Sequence, residues 1–205
     1  MFQVGFGTRS PVLRFHSHTF ALPHTRLMTS RPSPPQHAGR AWRFGDNLNT
    51  DVLAPGAYMK FGIEEIARHC LEAVEPRFAT EVQPGDVLVA GRNCGAGSSR
   101  EQAPQALKYL GVAALIAESF AGLFYRNALN LGLPALVCAE TKRIRADDRL
   151  RVDAESGRID NLTTGETLAC EPIPAHLMQM IRDGGLLGHL EKRLKQKRSI
   201  EEDAP

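Results

Sequence analysis

A chain of 205 residues, 42% of them hydrophobic, can bury one substantial core. No stretch reaches the ~18 uninterrupted apolar residues needed to cross a bilayer, so a membrane-spanning role is excluded. The formal net charge of +2 is uneven: residues 1–45 hold six arginines and no acid, which leaves 46–205 at −4 (+2 minus 6) and gives the body of the chain no basic face for nucleic acid.

Residues 1–38 are rich in Pro, Ser, Arg and His, and Arg31-Pro32-Ser33-Pro34-Pro35 opposes regular structure. A disordered extension is the expectation there. An acid-free, arginine-bearing start resembles an organellar transit peptide, although the prolines spoil an amphipathic helix. The preferred reading is a translation start placed too far upstream, with Met28 or a neighbour as the true beginning. The expected location is therefore cytoplasmic, or organellar if the segment is a transit peptide.

From Gly39 the pattern becomes α/β, and a domain over 39–195 is predicted with a charged tail at 196–205. Residues 41–44 and 52–53 read as short strands around the turn-forming Gly45-Asp46-Asn47. Ile63, Ile66, Ala67, Cys70, Leu71 and Val74 form a helical stripe over 63–74. Val87-Leu88-Val89-Ala90 is a continuous apolar run suited to a buried strand. Helix over 100–110, strand over 112–117, helix over 119–131 and strand over 134–138 then alternate as parallel βαβ units do. Residues 149–152, 158–159 and 167–169 read as antiparallel strands joined at Glu155-Ser156-Gly157 and Thr164-Gly165, and helices follow over 175–182 and 186–194.

Cys70, Cys94, Cys138 and Cys170 are spaced singly, without the Cys-x-x-Cys ladders that ligate zinc or iron–sulfur clusters, so the chain is expected to bind no metal itself and to inhabit a reducing interior.

The chemistry-bearing segment is Gly91-Arg92-Asn93-Cys94-Gly95-Ala96-Gly97-Ser98-Ser99-Arg100-Glu101, between a buried strand and a helix. Unpaired N–H groups and the helix dipole favour an anion there, and glycine allows close backbone approach. Gly97 is followed by Ser98-Ser99 rather than Lys-Ser/Thr, and the position three residues on is Arg100, so neither a Walker loop nor a dinucleotide fingerprint is spelled. Ser98-Ser99-Arg100-Glu101 also fits a capping box, and Glu101 is assigned to capping. The box leaves Arg100 unexplained, because a cation in the first helical turn opposes the dipole unless it faces an anion.

The run Asn93-Cys94-Gly95-Ala96-Gly97-Ser98-Ser99-Arg100-Glu101-Gln102-Ala103-Pro104 resembles the signature of the aconitase superfamily's swivelling domain, in particular the 3-isopropylmalate dehydratase small subunits. The likeness includes Gly45-Asp46-Asn47-Leu48-Asn49-Thr50-Asp51 upstream, and Ser119-Phe120-Ala121, Asn127 and Gly132-Leu133-Pro134 downstream, in the same order and spacing over 39–195. It implies a layered β/β/α fold with a mixed, partly parallel sheet. It also implies a large partner subunit carrying a [4Fe–4S] cluster, over which this domain closes on a dicarboxylate. By the same likeness Ser98 is the general base, Ser99 and Arg100 bind substrate carboxylate, and Asp51 is an active-site residue that could equally be a turn-capping aspartate. Tyr58, Met59, Lys60 and Phe61 occupy the specificity loop, where Lys60 stands in place of an arginine that would suit a third carboxylate.

The expected function is the small subunit of a hydro-lyase interconverting 2-isopropylmalate and 3-isopropylmalate in leucine biosynthesis. The alternatives are a related dehydratase of citramalate, dimethylmalate or homoaconitate type, or a non-catalytic anion-binding module. Cys94 is read as a small buried thiol filling space, with oxidation sensing as the alternative.

Overall fold

The chain's structure is a computed structural model that describes Met1 and residues 38–202. The expectations for 1–38 fall almost wholly outside those residues. The described fold lies within one compact unit, Pro34–Pro205.

Short apolar runs separated by helices build the parallel half of the sheet. β1 (Ala38–Arg43), β2 (Val87–Ala90), β3 (Ala114–Ala117) and β4 (Ala135–Val137) pair in parallel, β1 with β2, β2 with β3 and β3 with β4. β2 and β3 are buried at every position, which is why their sequences run apolar without alternation. β5 (Arg149–Asp153), β6 (Arg158–Asn161) and β7 (Thr167–Ala169) form the antiparallel half, turning Leu150, Ile159 and Leu168 into the core. The order is β4-β3-β2-β1-β5-β6-β7. β1 joins the halves, with residues 38–40 on β5 and 41–43 on β2. The sheet is curled enough for its edges to meet: Glu171 N donates to Val137 O at 2.8 Å across the gap between β4 and the segment after β7.

The α-helices are α1 (Thr50–Leu53), α2 (Ile63–Arg68), α3 (Phe78–Glu81), α4 (Gln102–Tyr109), α5 (Gly122–Asn130), α6 (Ala175–Arg182) and α7 (Leu186–Glu202), and one-turn helices at Gly56–Tyr58 and Thr141–Arg143 complete the described elements. α4 packs on α1, α2 and α5. Phe78 is fully buried and meets Trp42 edge-on at 5.0 Å. Buried Asp86 accepts hydrogen bonds from Arg40 N (2.9 Å), Trp42 Nε1 (3.0 Å) and Gln83 N (3.0 Å), which fixes the start of β1 against the turn before β2.

Three local expectations are corrected. Residues 52–53 are helical, because Asn49 Oδ1 accepts from Asp51 N at 2.8 Å and caps α1. The stripe over 63–74 breaks after Arg68: Leu71 adopts φ 64° and its N–H turns to Val52 O at 2.7 Å. α7 continues past Leu194 to Glu202, since its Lys, Arg, Glu and Gln residues are good helix formers and no glycine or proline interrupts 189–202.

Candidate functional site

The parallel pairing of β1 and β2 does not stop where the strands end. Phe44 N donates to Val89 O (2.7 Å), Gly91 N to Gly45 O (3.1 Å), Asn47 N to Arg92 O (2.7 Å), Gly95 N to Leu48 O (2.7 Å) and Thr50 N to Ala96 O (2.7 Å). On its other side the loop bonds to the segment after β3, through Cys94 N to Ser119 O (2.9 Å) and Ala121 N to Cys94 O (2.8 Å). The motif Gly45–Asp51 and the glycine loop thus form one zipped unit at the carboxyl ends of the parallel strands, the edge at which open α/β sheets place ligands.

Side chains reinforce the zip. Asp46 accepts from Arg92 N (2.8 Å), Nε (3.1 Å) and Nη2 (2.8 Å), and these bonds hold its carboxyl below the usual carboxylate range. Asn93 Nδ2 donates to Asn47 Oδ1 at 2.9 Å. Two glycines are required by space: a Cβ on Gly95, at φ +79°, would stand 2.0 Å from the Phe124 ring, and one on Gly97, at φ +101°, 2.5 Å from Asn49 Oδ1.

The zip presents Ser98 and Ser99 as exposed residues and Arg100 as a half-buried one. Thr50 Oγ1 and Arg100 N donate to Ser98 O at 3.0 and 2.7 Å, pinning its backbone. Among the described residues neither serine hydroxyl has a hydrogen-bond partner, and the N–H groups of Ser98, Ser99, Glu101 and Gln102 are likewise unpaired. Arg100 turns back from α4 toward the end of α1, where Nη1 donates to Ala54 O at 3.0 Å and forms an ion pair with Asp51. Its Nε and Nη2 make no bond among the described residues. The tension between Arg100 and the dipole is therefore relieved within the chain: α4 starts two residues later, at Gln102, and Asp51 supplies the anion. The capping box does not form, because Glu101 stands at the cap without a side-chain cap bond and is exposed.

The segment expected to set specificity leaves this unit at a one-turn helix, Gly56–Tyr58, and a Cβ built on Gly56 would stand 3.7 Å from Arg100 Nη2. Tyr58 and Met59 are half-buried. Tyr58 stacks on the His69 ring with centroids 3.6 Å apart and planes 5° from parallel. Hydrogen bonding to Glu72 at 2.6 Å, and secondarily to Glu65, raises His69 above the ordinary histidine value. Lys60 and Phe61 are exposed, and the Lys60 ammonium lies 5.1 Å over the Phe61 ring. The structure thus brings Asp51 to Arg100 and fixes Ser98 through Thr50, while Lys60 and Phe61 pair with each other.

Reading the sequence missed Thr50, Asn49 and the Asp46–Arg92 pair as the fixtures of the loop. Their signal was the Gly45–Asp51 motif itself, of which only Asp51 was assigned a role. Cys94 is fully buried, and burial pushes its thiol up to about 12, as suits a packing residue. Among the described residues no group of three or more His, Cys, Asp or Glu converges, so these residues do not fit the ligand set of a cluster.

The chain is 48% identical, over 76% of its own length and 91% of the other, to the methanogen homoaconitase small subunit of Methanothermobacter thermautotrophicus. It is 46% identical, over 75% of its length and 94% of the other, to 3-isopropylmalate dehydratase small subunit 1 of Thermotoga maritima. The chain belongs to the 3-isopropylmalate dehydratase small-subunit family. Residues 55–141 match the aconitase C-terminal domain, which places the family among the aconitase-type hydro-lyases, enzymes associated with an iron–sulfur cluster. The crystal structure of 3-isopropylmalate dehydratase from Methanocaldococcus jannaschii superposes with a TM-score of 0.74 at 40% identity, covering 79% of this chain and 98% of that one. A family of small subunits implies a larger partner subunit.

Proposed function

We propose that this chain is the small subunit of a two-subunit iron–sulfur hydro-lyase interconverting 2-isopropylmalate and 3-isopropylmalate, with the cluster held by the large subunit. The observation that carries the reading is the zipped unit itself. It exposes two unpaired hydroxyls, four unpaired N–H groups and the free edge of a guanidinium in one place.

Ser98 takes the proton from the carbon beside a substrate carboxylate. No histidine or carboxylate of the described residues bonds its side-chain oxygen, so Ser98 acts as an alkoxide that the neighbouring N–H groups and the Arg100 charge stabilise, and it becomes the neutral hydroxyl on taking the proton. Arg100 offers Nε and Nη2 to a carboxylate as a fork while Asp51 and Ala54 O keep the guanidinium in plane. Ser99 adds a hydroxyl to the same carboxylate. Loss of hydroxide from the adjacent carbon leaves a double bond, and rehydration returns the proton from Ser98 to that carbon and adds hydroxide to its neighbour.

A second reading, a homoaconitate-type enzyme, is favoured by the 48% identical relative of that name. It requires a cation for a third carboxylate, and in the specificity loop only Lys60 offers one. The test is to co-express the chain with the large-subunit homologue of its own genome, reconstitute the cluster anaerobically and compare kcat/KM on isopropylmalate, citramalate, dimethylmalate and homoaconitate. Isopropylmalate should lead. Preference for homoaconitate transfers the assignment to the second reading, and turnover of none of them defeats both.

A further inference from the structure

The curling of the sheet creates a seam that the substrate-binding unit does not use. Cys138 directly follows β4 and Cys170 directly follows β7, the two edge strands. Val137 O accepts from Glu171 N at 2.8 Å, and Cys138 Sγ donates to Ala169 O at 3.6 Å, so the two short segments are held against each other. Cys138 Sγ therefore lies against the residue that precedes Cys170 in sequence. Cys138 is 1% exposed, whereas Cys170 is partly open to solvent. Thiols spaced singly in sequence are therefore a pair in space.

We propose that Cys138 and Cys170 are a modification site, a dithiol that hydrogen peroxide oxidises to a disulfide across the seam between the two sheet edges. The neighbouring Cys170 thiol, helped by the Glu140 N–H, lowers the Cys138 thiol to about 7, while Cys170 is raised by Cys138 and by burial. Cys138 is therefore the nucleophile. Its sulfur attacks one peroxide oxygen, the O–O bond breaks, and the departing hydroxide takes a proton and leaves as water. The Cys170 sulfur then attacks the sulfenic Cys138 sulfur, the S–O bond breaks, and the hydroxide leaves with the Cys170 proton as a second water. Two thiols lose two electrons and one peroxide becomes two waters. Cys70 and Cys94 have no such partner: both are buried, and burial alone raises their thiols.

The experiment treats the full-length chain with a small excess of peroxide, quenches it, and titrates thiols after denaturation. Of the four free cysteines, two should disappear and return with dithiothreitol, and peptide mass mapping should show 138 joined to 170 with loss of two hydrogens. In Cys170→Ser the reaction should stop at a Cys138 sulfenic acid that dimedone labels. Retention of all four thiols, loss at Cys70 or Cys94, or links only between chains would overturn the proposal.

Discussion

Arg100 commits one guanidinium nitrogen to Asp51 and the Ala54 carbonyl and keeps another edge free, so its fork is aimed before any ligand arrives. Pre-orientation of this kind is worth a large factor in rate, because a displacement of about 1 Å costs on the order of 100-fold. Asp51→Asn, which removes the charge and keeps the shape, should therefore lower kcat/KM on the order of 100-fold mainly through a higher KM, with subunit association unchanged. Steady-state kinetics on the complex check this, and a fall in kcat alone at constant KM would move Asp51 from positioning to chemistry. The sequence spelled Ser98, Ser99 and Arg100 legibly, because glycines and serines between a strand and a helix make few other structures. It could not show what holds them: Thr50 reaches Ser98 O across 48 positions and Ala54 reaches Arg100 across 46, and nothing local encodes such a pairing.

Among elements, the buried strands were the most legible. The apolar run Val87–Ala90 has four buried residues of four, and the short run Val52-Leu53 misled because two apolar residues do not separate strand from helix once Asn49 caps the turn. The break after Arg68 was hidden for another reason: Leu71 leaves the helix to bond Val52 O, a tertiary bond that overrides a consistent stripe. That break leaves His69 stacked on Tyr58 and between Glu72 and Glu65. Its raised value means that the folded state binds this proton more tightly than the unfolded chain does. The resulting stabilisation is fully present below the ordinary histidine value of about 6.5 and fades as pH rises through the higher folded value. His69→Phe keeps the stack and removes the charge, so its Tm should fall below that of the unaltered chain at about pH 6 and draw level near about pH 9. Thermal melts across that range check it, and a gap independent of pH would assign His69 to packing alone.

For the whole molecule, the sequence pattern anticipated a mixed sheet with a parallel half and an antiparallel half, and this is the sheet that forms. It did not reveal that the sheet curls until β4 and β7 meet, since edge-to-edge approach depends on accumulated twist rather than on any residue run. Ser98 and Ser99, in the zipped loop at the carboxyl ends of the parallel strands, are exposed. The proposed function requires the larger subunit to meet this exposed loop. The most direct measurement is turnover by the reconstituted two-subunit complex carrying Ser98→Ala. The variant should associate with the large subunit as tightly as the unaltered chain and lose on the order of 10²- to 10⁴-fold in kcat, the range typical of a positioned general base. Full turnover in a complex that assembles normally would contradict the assignment of proton transfer to this chain.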